Sequence, residues 1–144
     1  MRPGGARTTG DLIHALLMLA AALGTAAYWA VYFGAGAVQT ADDPVYLGFE
    51  RAFPLADAYM AACYVAAALL LLRGRPAAVA FGIAAGSAMV FLGLMDVLYN
   101  LEHRKYAAMT PAMVVETLIN VACVSLGPFT MARVWRARGR LGGG

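Results

Sequence analysis

Four long apolar segments divide the chain and restrict the folds that are open to it. They cover residues 12–33, 54–72, 77–101 and 111–132, with short polar stretches between them. Each reaches the roughly 17–25 residues that a helix needs to cross a ~30 Å hydrocarbon layer. Lipid offers the backbone no hydrogen-bond partners, so a segment that crosses it must be helical. The pattern predicts an all-α, integral membrane four-helix bundle that forms a single domain.

The composition and the cysteines exclude several classes of function. Hydrophobic residues make up 62% of the chain and charged residues only 13%, whereas soluble domains contain about 25% charged residues. The net charge of +3 does not indicate a nucleic-acid partner, because the basic residues flank the apolar segments. Cys63 and Cys123 lie inside apolar segments and form no CxxC motif, which argues against thiol redox chemistry and a zinc site. We expect no metal ligands and no cofactor.

The basic residues are distributed unequally between the two ends of the segments. Eight accompany the termini and the second loop, and three lie at the opposite end. The positive-inside rule therefore predicts that both termini are cytoplasmic. The larger set is Arg2, Arg7, Arg73, Arg75, Arg133, Arg136, Arg138 and Arg140, and the smaller set is Arg51, Arg104 and Lys105.

The first apolar segment has a second interpretation, as a cleavable signal peptide. Arg2 and Arg7 precede a short apolar core that is followed by small residues, as in secretory signals. However, the apolar run continues through Phe33, which makes it long enough to span a membrane. We therefore expect a first transmembrane helix.

Three carboxylates lie within the apolar segments, all near the predicted non-cytoplasmic side. Asp57 is ~4.5 Å along the helix axis from Pro54, and Asp96 and Glu116 are each ~7.5 Å from the ends of their segments. The three side chains are thus expected at one level of the bundle. An ionised group inside a membrane costs roughly 2.5–3.5 kcal/mol on the insertion scale. No Lys or Arg lies within the segments, so either a carboxyl group holds a proton, or a cation, water or substrate completes the site.

Amide side chains extend two of these positions into polar stripes. Asp96 and Asn100 are four residues apart, as are Glu116 and Asn120, so each pair shares a helix face. A short turn joins the two helices, and the two faces can meet. Such polar residues can also serve only as hydrogen-bond links between helices. We predict a functional pocket in which Asp96 and Glu116 are the catalytic residues. The predicted substrate-binding residues are Asp57, Asn100, Asn120, Tyr59, Tyr99, His103 and Glu50.

A small-residue motif lies in the third segment. Gly82 and Gly86 are separated by three residues and give one helix face a smooth surface. This spacing predicts close helix packing. The motif fits contact within the bundle and equally fits a homodimer.

Four short motifs carry two resemblances to known proteins. The sequence Glu50-Arg51-Ala52-Phe53-Pro54 at the start of the second helix, the four spans and Gly127-Pro128-Phe129 resemble the EXPERA-domain family, which includes sterol isomerases and lipid-binding membrane proteins. Tyr28-Trp29 and Pro54-Leu55-Ala56-Asp57 resemble motifs of small bacterial four-helix membrane proteins. The first resemblance implies a lipid-like ligand, and the second implies a bacterial plasma membrane.

These observations favour a pocket, open toward the outer leaflet, for a lipophilic or cationic small molecule. If the protein is an enzyme, we expect acid/base isomerisation or cyclisation of an isoprenoid-like substrate, with a proton donated by Asp96 or Glu116. One alternative is a proton-coupled or cation transporter that acts as a homodimer. Another is a structural accessory subunit. Membrane lipid is the only other partner expected.

Overall fold

A computed structural model describes residues 8–36, 38 and 40–142, and these form an all-α bundle. Arg2 and Arg7, which contribute to the predicted orientation, lie outside the described residues. Four of the helices lie in segments that are long and apolar enough to cross a membrane. The helices are α1 (Thr9–Ala35), α2 (Pro44–Glu50), α3 (Phe53–Leu72), α4 (Ala77–Glu102) and α5 (Pro111–Gly142).

Two elements differ from the sequence prediction. The last helix continues to Gly142 instead of ending at 132, because the arginine-rich segment beyond the apolar run still consists largely of good helix formers. The short helix α2 was not predicted. Asp43 caps it by accepting hydrogen bonds from the backbone N–H groups of Val45 and Tyr46, and Pro44 occupies its first turn. The loop between α1 and α3 is therefore partly helical.

A tight turn sets α3 antiparallel to α4. Gly74 has a φ of 64°, in the left-handed region that favours glycine. The N–H of Gly74 donates to the carbonyl of Leu71, and the N–H of Arg75 donates to that of Leu70. These two bonds form the Schellman motif that ends many helices. Pro76 then starts α4.

The bundle has two halves of different character. We call the half that contains Asp11, the α3–α4 turn and the C-terminal end of α5 the terminal half, and the opposite half the α2 half. In the terminal half, Thr8 caps α1 together with Asp11, and Asp11 also forms an ion pair with Arg140 at 2.8 Å. His14 stacks on Phe129 with 5.4 Å between ring centroids. Side chains of α1 and α5 therefore meet here.

The small-residue motif of α4 packs against α5 within the chain. A Cβ atom on Gly82 would lie 2.7 Å from the side chain of Val134, and one on Gly86 would lie 2.6 Å from the carbonyl oxygen of Gly127. Real Cβ atoms essentially never approach so closely. The two glycines are thus required for the close contact between α4 and α5 within the chain.

Large apolar side chains cover the outside of the bundle. Leu55 is 83% exposed, Leu23 70% and Leu118 64%. Monomeric soluble proteins rarely expose contiguous apolar surface on this scale. The exterior is that of a membrane helix bundle.

Candidate functional site

A cavity of about 240 Å³ lies in the α2 half, and all five helices contribute to its wall. Four carboxyl side chains line it, each from a different helix: Glu50 from α2, Asp57 from α3, Asp96 from α4 and Glu116 from α5. Glu50, Asp96 and Glu116 are close enough to one another to interact electrostatically. Among the residues that the structure describes, no Lys or Arg lines the cavity. The acidic residues of the segments therefore converge on one space.

Glu116 is held in place by an amide from the neighbouring helix. Its Oε1 accepts a hydrogen bond from the Nδ2 of Asn100, whose side chain is fully buried. Its second oxygen, Oε2, is buried and has no hydrogen-bond partner in the described part of the chain. A buried polar atom left without a partner costs about 1–3 kcal/mol. Glu116 therefore lines the cavity and has one buried acceptor that the described residues leave unpaired.

Asn120 repeats this arrangement one helical turn deeper. Its Nδ2 donates to the hydroxyl oxygen of Tyr106 at 3.0 Å, and its Oδ1 is buried without a partner among residues 8–36, 38 and 40–142. Asn120 is only 3% exposed and Glu116 only 4%. Two acceptors on the same face of α5 are thus available to a group that carries hydrogen-bond donors.

Asp57 is hydrogen-bonded to a residue of the first helix that also lines the cavity. The indole Nε1–H of Trp29 donates to its Oδ2 at 2.8 Å. This bond links α1 to α3 in the α2 half, where α1 and α5 both contribute to the cavity wall. It fixes one side of the cavity while leaving its interior open.

Helix α2 contributes Glu50 to the cavity wall. The ring of Phe49 stacks on Tyr99 with centroids 4.1 Å apart, and the backbone N–H of Thr40 donates to the hydroxyl of Tyr46 at 3.1 Å. Glu50 is 5% exposed, so α2 turns this carboxyl group inward. The packing of α2 on α4 is what brings a fourth acid to the site.

The carboxylate of Asp43 at the start of α2 is stabilised by backbone N–H groups of the same helix. Hydrogen bonds from the N–H groups of Tyr46 and Val45, together with the nearby Lys105 ammonium, hold the pKa of Asp43 below its usual value. The Nζ of Lys105 lies 4.0 Å from Asp43 and 5.0 Å from the centre of the Tyr46 ring. Asp43 is therefore a structural carboxylate that lies outside the cavity.

Four of the residues predicted to bind substrate lie outside the cavity wall. Tyr59 is 58% exposed; it follows Asp57 by two positions, which on a helix places it on the opposite face. Tyr99 lies under Phe49, and His103 bonds to the carbonyl oxygen of Tyr99 at 2.9 Å. Asn100 acts through Glu116. Asp96, Glu116, Asp57, Asn120 and Glu50 all line the cavity.

The contribution of α1 to the cavity was not predicted from the sequence. Ala21, Gly24, Thr25, Tyr28 and Trp29 line the cavity from one face of that helix. Their spacing of three and four residues was a usable signal, but an aromatic pair near the end of a span is also typical of an interfacial anchor. No group of three or more His, Cys, Asp or Glu side chains in the described residues has a geometry that could hold a metal ion.

Comparison of the chain with protein families, with curated proteins and with solved structures found no match. The resemblance to EXPERA-domain proteins therefore stays a prediction.

Proposed function

We propose that the chain is an integral membrane protein that binds a small lipophilic or cationic molecule in its acidic cavity. The observation that carries this proposal is the convergence of four carboxyl side chains from four helices on one cavity. A positive charge and a carboxylate attract each other far more strongly in a low-dielectric interior than in water. The rings of Tyr28 and Trp29 in the same wall would add cation–π attraction.

The size of the cavity supports a small ligand. Its volume of about 240 Å³ is below the roughly 300–1,000 Å³ of pockets for drug-sized molecules. Most of the remaining wall is apolar, with Met60, Met89 and Leu126 among its residues. A compact molecule with a cationic group and an apolar body fits this lining.

We further propose that both termini face the cytoplasm of a bacterial cell and that the acidic cavity lies toward the opposite side. The arginine distribution supports this orientation. Reporter fusions after Gly144 and within residues 42–48 test it. The proposal requires signals from opposite sides of the membrane, and signals from one side would contradict it.

A matched ligand set tests the proposed binding function. Cyclohexylamine, cyclohexanol and cyclohexanecarboxylate share one ring and differ in charge at neutral pH. We expect the ammonium form to raise the melting temperature of the purified protein most, because a ligand that binds only the folded state stabilises it. The carboxylate should give no increase. Equal shifts for all three compounds would reject the proposal.

A variant outside the cavity gives the control for this screen. Glu102 lies at the end of α4, is exposed and does not line the cavity. Glu102→Gln removes the same charge as Glu116→Gln. The response to cyclohexylamine should persist in Glu102→Gln and be lost in Glu116→Gln. Loss in both would indicate a general effect of protein charge.

A second candidate function is acid/base isomerisation or cyclisation of an isoprenoid-like substrate. It is favoured by the presence of Asp96 and Glu116 in one largely apolar cavity, with Glu116 Oε2 unpaired among the described residues. One carboxyl group would give its proton to a carbon–carbon double bond. The other, as a carboxylate, would stabilise the carbocation and then remove a proton from a neighbouring carbon.

Incubation with geraniol as the test substrate in deuterated water checks this function. Deuterium from the solvent should then enter geraniol, as measured by mass spectrometry. Absence of exchange would reject the enzymatic function. The transporter and accessory-subunit functions are not tested by this measurement and stay predictions.

A further inference from the structure

We propose that the ligand is a primary alkylammonium ion that binds with its ammonium group toward α2 and its alkyl chain toward the middle of the bundle. This inference rests on the proposed function and specifies its ligand. Three observations support it: the distribution of polar and apolar side chains along the cavity, the buried acceptors that are unpaired in the described part of the chain, and the open space beside the wall.

The cavity wall is polar at one end and apolar at the other. Glu50, Asp57, Asp96 and Glu116 lie toward α2. Deeper in the bundle the wall includes the apolar residues Met60, Met89, Leu92, Ala21 and Leu126. The hydroxyl of Thr25, which lies between the two ends, is already bonded to the carbonyl of Ala21 at 3.0 Å. A ligand that matches this wall has one polar end and one apolar end.

The polar end requires donors from the ligand. Glu116 and Asn120 both line the cavity and are more than nine-tenths buried. Each has one buried acceptor that no described residue pairs, Oε2 and Oδ1 respectively. A primary ammonium group carries three N–H donors and a positive charge. It has one donor for each of these two acceptors and a third donor for a second carboxyl group of the cavity. An alcohol or a carboxylic acid offers at most one donor, and a carboxylate offers none.

The apolar end has room for a chain of limited length. Met89 precedes Asp96 by seven residues, which is ~10.5 Å along the helix axis. A Cβ atom on Gly24 would meet no heavy atom within 4 Å. The wall therefore borders open space at the Cβ position of Gly24, and a larger side chain there would shorten the apolar end.

The test is a chain-length series of butyl-, hexyl- and octylammonium chloride with the protein in nanodiscs. The chain has two tryptophans, Trp29 and Trp135, so the Trp135→Phe variant reports binding through Trp29 fluorescence at the cavity wall. We expect the affinity to increase about fourfold for each methylene, the equivalent of ~0.8 kcal/mol of apolar transfer. The double variant Trp135→Phe/Glu116→Gln in the same nanodiscs measures partitioning of the amines into lipid. Affinity that does not change with chain length, after this subtraction, would overturn the orientation.

Gly24→Leu and Gly34→Leu form the matched pair of variants. Both glycines lie in α1, and a Cβ atom added to either would have no heavy atom within 4 Å, but only Gly24 lines the cavity. Gly24→Leu should weaken octylammonium binding about tenfold or more and change butylammonium binding less than about twofold, because leucine would occupy the volume of several methylenes. Gly34→Leu should change neither. Equal losses for both amines in Gly24→Leu would overturn the proposal.

The outcomes separate this inference from the proposed function. If cyclohexylamine and the alkylammonium ions all fail to bind, the proposed function itself is wrong. If cyclohexylamine binds but the affinity for the alkylammonium ions does not change with chain length, the acidic cavity binds cations and the assigned orientation is wrong. Should Gly24→Leu fail to fold, the chain-length series on the Trp135→Phe protein decides the question alone.

Discussion

The terminal half of the bundle is packed, whereas the α2 half is hollow, although the same four long helices build both. In the terminal half, Gly86 lets α4 approach the backbone of α5 so closely that no side chain fits between them. In the α2 half, Gly24 borders open space on the cavity wall. Glycine therefore permits a close helix contact at Gly86 and leaves open space at Gly24.

This difference also separates two uses of buried polar residues. Asp11 in the terminal half has its acceptors occupied by Thr8 and Arg140, which makes it a structural link. Glu116 and Asn120 in the α2 half each retain a buried acceptor without a partner in the described ranges. Asp11 therefore has its hydrogen bonds completed within the chain, whereas Glu116 and Asn120 each keep an acceptor unpaired among the described residues.

The largest expected effect comes from substituting leucine for glycine in each half. Gly86→Leu should destabilise the protein by about 3 kcal/mol or more, because its Cβ would meet the Gly127 backbone, which cannot move without shifting a helix. Gly24→Leu should leave the stability nearly unchanged. Unfolding in detergent with increasing denaturant measures both. Similar losses in the two variants would show that the α2 half is not hollow.

The second effect concerns the amide that supports Glu116. Asn100→Leu should destabilise the protein by about 1–3 kcal/mol, because it leaves the buried Oε1 of Glu116 without its donor. The double variant Asn100→Leu/Glu116→Leu removes both partners and should recover much of the loss. A double variant less stable than Asn100→Leu would contradict the assigned hydrogen bond. The free energies of unfolding of the wild type, both single variants and the double variant complete the cycle.

A smaller effect is expected where α1 is linked to α3. Trp29→Phe removes the donor to Asp57 and should cost about 1 kcal/mol. Trp135→Phe is the control, since Trp135 is 52% exposed in the terminal half, and it should cost less. Thermal unfolding of the two variants compares them. A larger loss in Trp135→Phe would argue against a stabilising Trp29–Asp57 bond.

The smallest effect is the pH dependence of the α2 cap. The N–H of Tyr46 lowers the pKa of Asp43 below its reference value of 3.8. The stabilisation that the ionised Asp43 side chain contributes is therefore present above about pH 4. It is lost as the pH falls through the pKa of Asp43 in the folded protein. NMR titration of the Val45 and Tyr46 amides should give a midpoint below 3.8, and Asp43→Asn should abolish the transition. A midpoint above 3.8 would contradict the assigned cap, because it would mean that folding raises the pKa of Asp43.

Much of the architecture could be predicted from the apolar segments alone. Length and hydropathy indicate the long helices because lipid leaves the backbone no alternative to helical hydrogen bonding. Helix α2 could not be found this way, since seven residues give too short a periodic pattern. Its cap, Asp43 followed by Pro44, is a recognisable start signal, but hydropathy does not register it.

Part of the site could also be predicted from the sequence. Asp96 and Glu116 are isolated acids in apolar helices, and their position at one level follows from the helical rise. The partner of Glu116, Asn100, could be predicted to lie nearby from its four-residue spacing to Asp96. The displacement of Tyr99 and His103 from the cavity depends on α2 packing over α4, and the role of α1 depends on how the helices are arranged. Sequence spacing within one helix does not determine either.

The unfolding temperature of Glu116→Gln, measured with and without cyclohexylamine beside the wild type, tests the central claim most directly. Glutamine can still accept the hydrogen bond of Asn100, while the cost of a buried carboxyl group disappears. The variant should be at least as stable as the wild type without ligand, and cyclohexylamine should stabilise only the wild type. A variant that is less stable than the wild type but equally stabilised by cyclohexylamine would show that Glu116 is a structural hydrogen-bonding residue and that the cavity is not a cation site.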